Sequence, residues 1–294
     1  MIHKSSDSCI FGAENDGKAD IPILFTGMLT ISTAYNRYGG IIMNGKQLRL
    51  RRIMNARVGK TVIVPMDHGV SLGPVQGIAT INNTIKKVCE GGGTCIVVHK
   101  GIARQLNPDI MGDLGLIVHL SASTSLWTEP NRKTLVGDVL DAVRLGADAV
   151  SVHVNLGGKY ENEMMAQMGE VSSQCIEFGM PLLAMMYPRG ENVKDQFDID
   201  AIKKCARVGA ELGADIVKTN YTGDVESFKE VVKGTSVPVV IAGGPKMDSE
   251  KALLDMVRDS MKAGAAGVSI GRNVLQHEDI AGITKKIAEI VFSG

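Results

Sequence analysis

From residue 61 onward the chain alternates between two textures. Short apolar runs rich in β-branched residues are followed by longer segments whose apolar positions recur every three or four residues. The runs are TVIVPM (61–66), CIVVHK (95–100), GLIVHL (115–120), AVSVHV (149–154), PLLAMMY (181–187), DIVKTN (215–220), PVVIAG (238–243) and GVSIGR (267–272). Nearly continuous apolar character, without strict alternation, suits parallel strands covered on both faces. The segments between them read as amphipathic helices that end in glycine: INNTIKKVCEGG, TLVGDVLDAVRLGAD, DAIKKCARVGAELGAD and SEKALLDMVRDSMKAGAAG. Glycine just past the last periodic residue supplies a left-handed helix cap. GAD(A/I)V recurs at 146–150 and 213–217 and marks repeated helix–strand units. Eight strands alternating with helices predict a (β/α)8 TIM barrel. A doubly wound open sheet is the alternative, but no GxGxxG follows the first strand.

Residues 1–42 carry neither texture. Their first half is polar and their second half is broken by glycines, so a poorly ordered N-terminal extension is expected there. The barrel domain is expected to span 43–294. Met43 opens MNGKQLRLRRIMN, which reads as the start of a leading helix and as a candidate translation start.

Charge narrows the function classes. Lys plus Arg equals Asp plus Glu, 32 each, so the chain has no basic footprint for nucleic acid and no membrane-attracted surface. No apolar run reaches the length of a membrane span, and no basic segment runs directly into an apolar core as in a signal peptide. The five cysteines form no CxxC pair and their count is odd. A disulfide framework is therefore not expected, which fits a cytoplasmic protein. Cys175 and Cys205 fall in helical patterns, as small core residues do.

In a TIM barrel the functional groups sit at the C-terminal ends of the strands. Those ends carry Asp67, His68 and Gly69; His99 and Lys100; His119; His153 and Asn155; Tyr187 and Arg189; Lys218 and Tyr221; Gly243, Gly244 and Lys246; and Gly271, Arg272 and Asn273. Lys218 is the unusual one, because it interrupts the buried-looking run of ADIVKTNYTGD. It is either a strand-end lysine snorkelling to solvent or a desolvated amine that acts as a nucleophile. Burial and neighbouring cations lower a lysine pKa toward the neutral form that attacks a carbonyl. Asp67 and Tyr187 are suited to the proton transfers that imine formation and C–C cleavage require. Each also has a bland role open to it, Asp67 as a cap or salt-bridge partner and Tyr187 as a core tyrosine. Two glycine-rich strand ends, AGGPK and GRNVLQHEDI, suit a phosphate, since barrels often bind one after strands seven and eight. Tight turns also demand glycine. Four histidines, His68, His99, His119 and His153, form a rival set for zinc, although no HxH or HExxH spacing supports it.

Six motifs, in order, resemble the archaeal-type class I (Schiff-base) aldolase family: VPMDHGVSLGP, HVNLGG, AMMYPRG, DIVKTNYTGD, VVIAGGPK and AGAAGVSIGRNVLQH. The resemblance runs from about Met43 to the C-terminus and leaves the N-terminal extension outside it. It implies that Lys218 forms the Schiff base, Tyr187 donates a proton and Asp67 accepts one. It implies sugar-phosphate contacts from Asp67, His68, Gly69, Val70 and Ser71, from Tyr187, Pro188 and Arg189, from Lys218, and from Gly243, Gly244, Gly271 and Arg272. No metal or organic cofactor is implied, and a homo-oligomer, up to a decameric ring, is. Within the family the likeness is nearest to a transaldolase-type branch. That branch moves a ketone fragment from 6-deoxy-5-ketofructose 1-phosphate to L-aspartate 4-semialdehyde, on an alternative route to 3-dehydroquinate and the aromatic amino acids. Fructose-bisphosphate cleavage on the same machinery is the alternative. A sugar-phosphate-binding protein without turnover is a third, which the intact trio argues against. Arg189, Lys100 and Asn155 are the candidates for holding the amino-aldehyde.

Overall fold

The computed structural model describes residues 45–293. All eight apolar runs become strands, and they close into one parallel barrel. In chain order these are β1 (Thr61–Pro65), β2 (Cys95–His99), β3 (Gly115–His119), β4 (Ala149–Leu156), β5 (Leu182–Pro188), β6 (Ile216–Thr219), β7 (Val239–Ala242) and β8 (Gly267–Ser269). Each strand pairs with its sequence neighbours, and β1 closes the ring by pairing with β8.

Alternation along each strand sends successive side chains to opposite faces. On β6, Val217 packs outward among the helix-facing core, while Ile216 points into the barrel with Ile63, Val97, Ile117 and Leu183. Lys218 therefore shares the inward face with Ile216. The same parity on β5 turns Leu183, Met185 and Tyr187 inward.

The repeated GAD motif has a structural role at the bottom of the barrel. Asp148 accepts the Leu116 N–H at 3.0 Å and holds Arg52 at 2.9 Å. Asp215 accepts the Leu182 N–H at 2.9 Å and pairs with Lys46 at 2.8 Å. Both cations belong to the leading helix, Gly45–Ile53, which these contacts fasten across the N-terminal ends of the strands and whose Ile53 enters the inner core. Asp215→Ala is expected to lower stability by about 1–3 kcal/mol, because it leaves the Leu182 N–H without its acceptor. A denaturant midpoint equal to that of the wild type would contradict this.

One expected helix is shorter than its pattern. TLVGDVLDAVRLGAD yields a helix only over Val139–Arg144, capped by Asp138, whose carboxylate accepts the Asp141 N–H at 2.7 Å. Thr134–Leu135 instead pairs antiparallel with Ser121–Ala122. This two-stranded ribbon carries its connecting loop over the barrel mouth, and Asp138 starts the helix late because its side chain caps there. Cys175 and Cys205 are buried within helices, as expected. No helix among the described residues is long and apolar enough to cross a membrane. The expectations for residues 1–42 and for a start at Met43 lie outside the described residues.

Candidate active site

The C-terminal mouth of the barrel holds a cavity of about 360 Å³. Asp67, Tyr187 and Lys218 all line it. Lys218 is only 7 % exposed. Its Cα is in register with Met185 on β5 and Val240 on β7. Tyr187 lies two residues beyond Met185 on the same inward face, so it is the diagonal neighbour of the lysine.

Burial dominates the electrostatics of Lys218. It pulls the ammonium pKa down to about 8, with Arg189 and Arg272 adding to the shift and Asp67 opposing it. For Asp67, burial alone would raise the carboxyl. The facing His119, His68, Lys218 and His99 more than offset that and leave it below the ordinary value. Burial pushes the Tyr187 phenol upward, with Asp67 in support and the Arg189 and Arg272 guanidinia opposing. Arg189 lies over the Tyr187 ring at 4.4 Å. The trio is thus a cation, a carboxylate and a neutral hydroxyl lining one desolvated cavity.

The histidines form a neutral wall around the carboxylate. His119 Nε2 lies 3.7 Å and His68 Nδ1 3.8 Å from the Asp67 oxygens. His119 Nδ1 bonds to Ser151 Oγ at 2.8 Å, and the His99 ring packs 5.2 Å from that of His119. Burial holds His119 down to about 4, and His153 is also driven well below its ordinary value, chiefly by burial. Near neutral pH the charge that balances Asp67 is therefore Lys218. Among the described residues no three His, Cys, Asp or Glu side chains converge as a metal-holding set.

The last two strand ends form a cationic corner. Gly243, Gly244, Gly271 and Arg272 line the cavity together, beside the short helix Arg272–Leu275. Gly271 is required by close approach, since a Cβ there would stand 2.3 Å from the His68 ring and 2.8 Å from the Pro65 carbonyl oxygen. Gly244 takes a φ of 65°, which favours glycine. Asn273 does not face the cavity. Its amide donates to the Gly243 and Pro245 carbonyls, both at 2.9 Å, and ties the β7 loop to the β8 loop. Among the described residues Arg272 Nε is buried without a hydrogen-bond partner, which suits an anion beside it.

Other strand-end candidates separate cleanly. His68 and Ser71 line the cavity; Gly69, Val70 and Pro188 are not among its lining residues. Of the three candidates for the amino-aldehyde, only Arg189 reaches the cavity. Lys100 points outward and pairs with Asp141 at 2.9 Å. Asn155 is buried behind the cavity lining, where it bonds His153 Nε2 at 2.9 Å and donates to the Asn131 carbonyl at 2.7 Å. It braces the loop over the mouth. Tyr221 packs on Phe228, and Lys246 donates to the Gln276 carbonyl at 3.0 Å. Strand-end inspection missed Lys133, Ser123 and Asn131, which also line the cavity. They sit on the connecting loop of the ribbon, and no local period marks them.

Residues 61–277 match the model of the DeoC/LacD family aldolases, and the chain belongs to that family. Within it, the chain is 45% identical over 251 residues to 2-amino-3,7-dideoxy-D-threo-hept-6-ulosonate synthase 1 of Archaeoglobus fulgidus, covering 85% of this chain and 92% of that one. It is 40% identical over 246 residues to the 2-amino-4,5-dihydroxy-6-oxo-7-(phosphonooxy)heptanoate synthase of Streptomyces griseus, covering 84% and 90%. A solved Schiff-base-forming fructose-1,6-bisphosphate aldolase superposes with a TM-score of 0.79 at 32% identity, covering 85% of this chain and all of that one.

Proposed function

We propose that the protein is a Schiff-base transaldolase that joins a three-carbon ketone fragment to L-aspartate 4-semialdehyde. Lys218 carries the imine, Tyr187 donates the proton and Asp67 accepts it. The observation that carries this reading is the desolvated Lys218 amine, which lines one cavity with Asp67 and Tyr187.

The names of the two synthases support the choice of acceptor. Both products are seven-carbon 2-amino acids with hydroxyls at C4 and C5 and a ketone at C6. Breaking C4–C5, the bond between the carbons α and β to that ketone, returns the same C1–C4 half in each: an amino acid ending in an aldehyde. The products differ at C7, which is a methyl in one and carries phosphate in the other. The conserved half of the reaction is thus the amino-aldehyde.

With 6-deoxy-5-ketofructose 1-phosphate as donor, the Lys218 amine adds to the C5 carbonyl and water leaves as the imine forms. A base takes the C3 hydroxyl proton, the C3–C4 bond breaks, and its electrons pass into the iminium. Hydroxypyruvaldehyde phosphate departs and an enamine remains on Lys218. The enamine carbon attacks the aldehyde of the acceptor, whose oxygen takes a proton. Water then releases the ketone and restores the amine. The cationic corner at Gly243, Gly244, Gly271 and Arg272 favours a second donor, a three-carbon ketone bearing phosphate beside its carbonyl. The same enamine chemistry follows from it without a leaving aldehyde.

Each donor supplied with L-aspartate 4-semialdehyde, trapped with borohydride and read by mass, tests this. An adduct on Lys218 and an amino-heptulosonate only in the presence of both substrates is expected. Rapid cleavage of fructose 1,6-bisphosphate with no amino acid product would hand the chain to the lyase reading.

The lowered Lys218 pKa also sets a pH dependence. With a pKa of about 8 instead of 10.5, roughly a quarter of the amine is free at about pH 7.5, against about a thousandth for an ordinary lysine. The active form is the deprotonated one, so kcat/KM is expected to rise with pH and level off above about 8. A profile flat from about pH 6.5 to 9 would contradict this.

A further inference from the structure

Lys133 is a cation that the steps above leave unused. It lies on the loop that the ribbon carries across the mouth, and its side chain lines the cavity together with Arg189 and Asp67. Its ammonium donates to Ser123 Oγ and, at 2.9 Å, to the Pro130 carbonyl. An ammonium has three N–H donors, and among the described residues no carboxylate pairs with this one. Its neighbours on the rim differ: Arg132 pairs with Glu163, Lys159 with Glu129 and Lys100 with Asp141.

The cations of the cavity also have an order. Arg272 acts on Lys218, Tyr187 and His68. Lys133 acts on His119 and His153. The loop of Lys133 joins β3 to β4, Arg189 follows β5 and Arg272 follows β8, so Lys133 and Arg272 enter the cavity from opposite sides of the ring. The cavity is therefore cationic on both sides, and Arg272 bears on the Lys218 amine where Lys133 does not. A ketone fragment bound to Lys218 and extending to the Arg272 side would leave the Lys133 side for the aldehyde fragment.

We propose that Lys133 determines acceptor specificity by binding the carboxylate of the incoming amino-aldehyde. This rests on the transaldolase reading. An amino-aldehyde places its carboxylate three carbons from the reacting carbon, beyond the trio and toward the loop. Half-burial and Arg189 already draw the Lys133 ammonium down to about 8, so an incoming carboxylate relieves a destabilised cation. Charge-assisted hydrogen bonds of this kind discriminate strongly against a partner that lacks the group. The competing role is a purely structural one, in which Lys133 only fastens the loop through Ser123 and Pro130.

Two variants separate these roles. Lys133→Met removes both the charge and the loop bonds. Lys133→Gln removes the charge and keeps an N–H donor, on a side chain one atom shorter, for Ser123 and Pro130, so it decides the matter if the methionine variant does not fold. Each is assayed with L-aspartate 4-semialdehyde and with propanal, which lacks both the carboxylate and the ammonium. Lys133→Gln is expected to lower kcat/KM for the semialdehyde by about 10- to 100-fold and to leave propanal within about threefold of the wild type. Equal losses on both aldehydes, or no loss on either, overturn the proposal.

A binding arm keeps the two readings distinguishable. Calorimetry compares L-homoserine, an unreactive alcohol with the acceptor's carboxylate and ammonium, with 3-amino-1-propanol, which lacks only the carboxylate. The wild type is expected to favour homoserine by a similar factor and Lys133→Gln to lose that preference. Should this hold while the wild type turns over no semialdehyde, the anchor stands and the transaldolase reading falls. Should the semialdehyde turn over while both proteins favour homoserine alike, or neither does, the anchor falls and the transaldolase reading stands.

Discussion

Lys218→Met is expected to fold as the wild type does and to lose turnover by about four orders of magnitude or more. Methionine fills a similar volume, so the inward face of β6 keeps its packing against Met185 and Val240. What disappears is the proposed nucleophile. Among the described residues no other amine is positioned to replace it, since Lys100 faces outward and is paired, and Lys133 is held at the loop by Ser123 and Pro130. Covalent catalysis has no partial substitute once the attacking atom is gone, and single losses within such a unit remove most of the rate. Borohydride with a ketose donor should add the mass of the reduced adduct to the wild type and none to the variant. Turnover within tenfold of the wild type would remove Lys218 from its role.

Tyr187→Phe is expected to separate imine formation from bond cleavage. Phenylalanine keeps the ring beneath Arg189 and the buried packing, and it deletes only the hydroxyl. Because burial raises the phenol pKa, that hydroxyl is protonated throughout the working range, as the proposed proton donor must be. Loss of a positioned acid lowers rates by about 10²–10⁴. The variant should still be labelled by borohydride at Lys218 while product forms that much more slowly. Wild-type turnover in Tyr187→Phe would make the residue a core tyrosine and nothing more.

The chain's local pattern was enough for the barrel. Eight β-branched runs separated by glycine-capped amphipathic segments admit few other architectures, because each run needs cover on both faces. The same pattern identified the strand ends, and with them Asp67, Tyr187, Lys218 and the Gly243–Gly244 and Gly271–Arg272 turns, all of which the fold brings to one cavity. Two kinds of information were missing from it. The direction of a side chain past the end of a strand is not fixed by the strand's period. Lys100 therefore turned out to face solvent, and Asn155 to brace the loop. Loop closure is also decided at long range. Lys133 and Ser123 reach the mouth because residues 121–122 pair with 134–135, a contact that a helical reading of 134–148 conceals. The electrostatics belong wholly to the tertiary structure. A lysine pKa near 8 is the sum of burial on β6 with charges from residues following β1, β5 and β8, and only the closed barrel adds those contributions at one point.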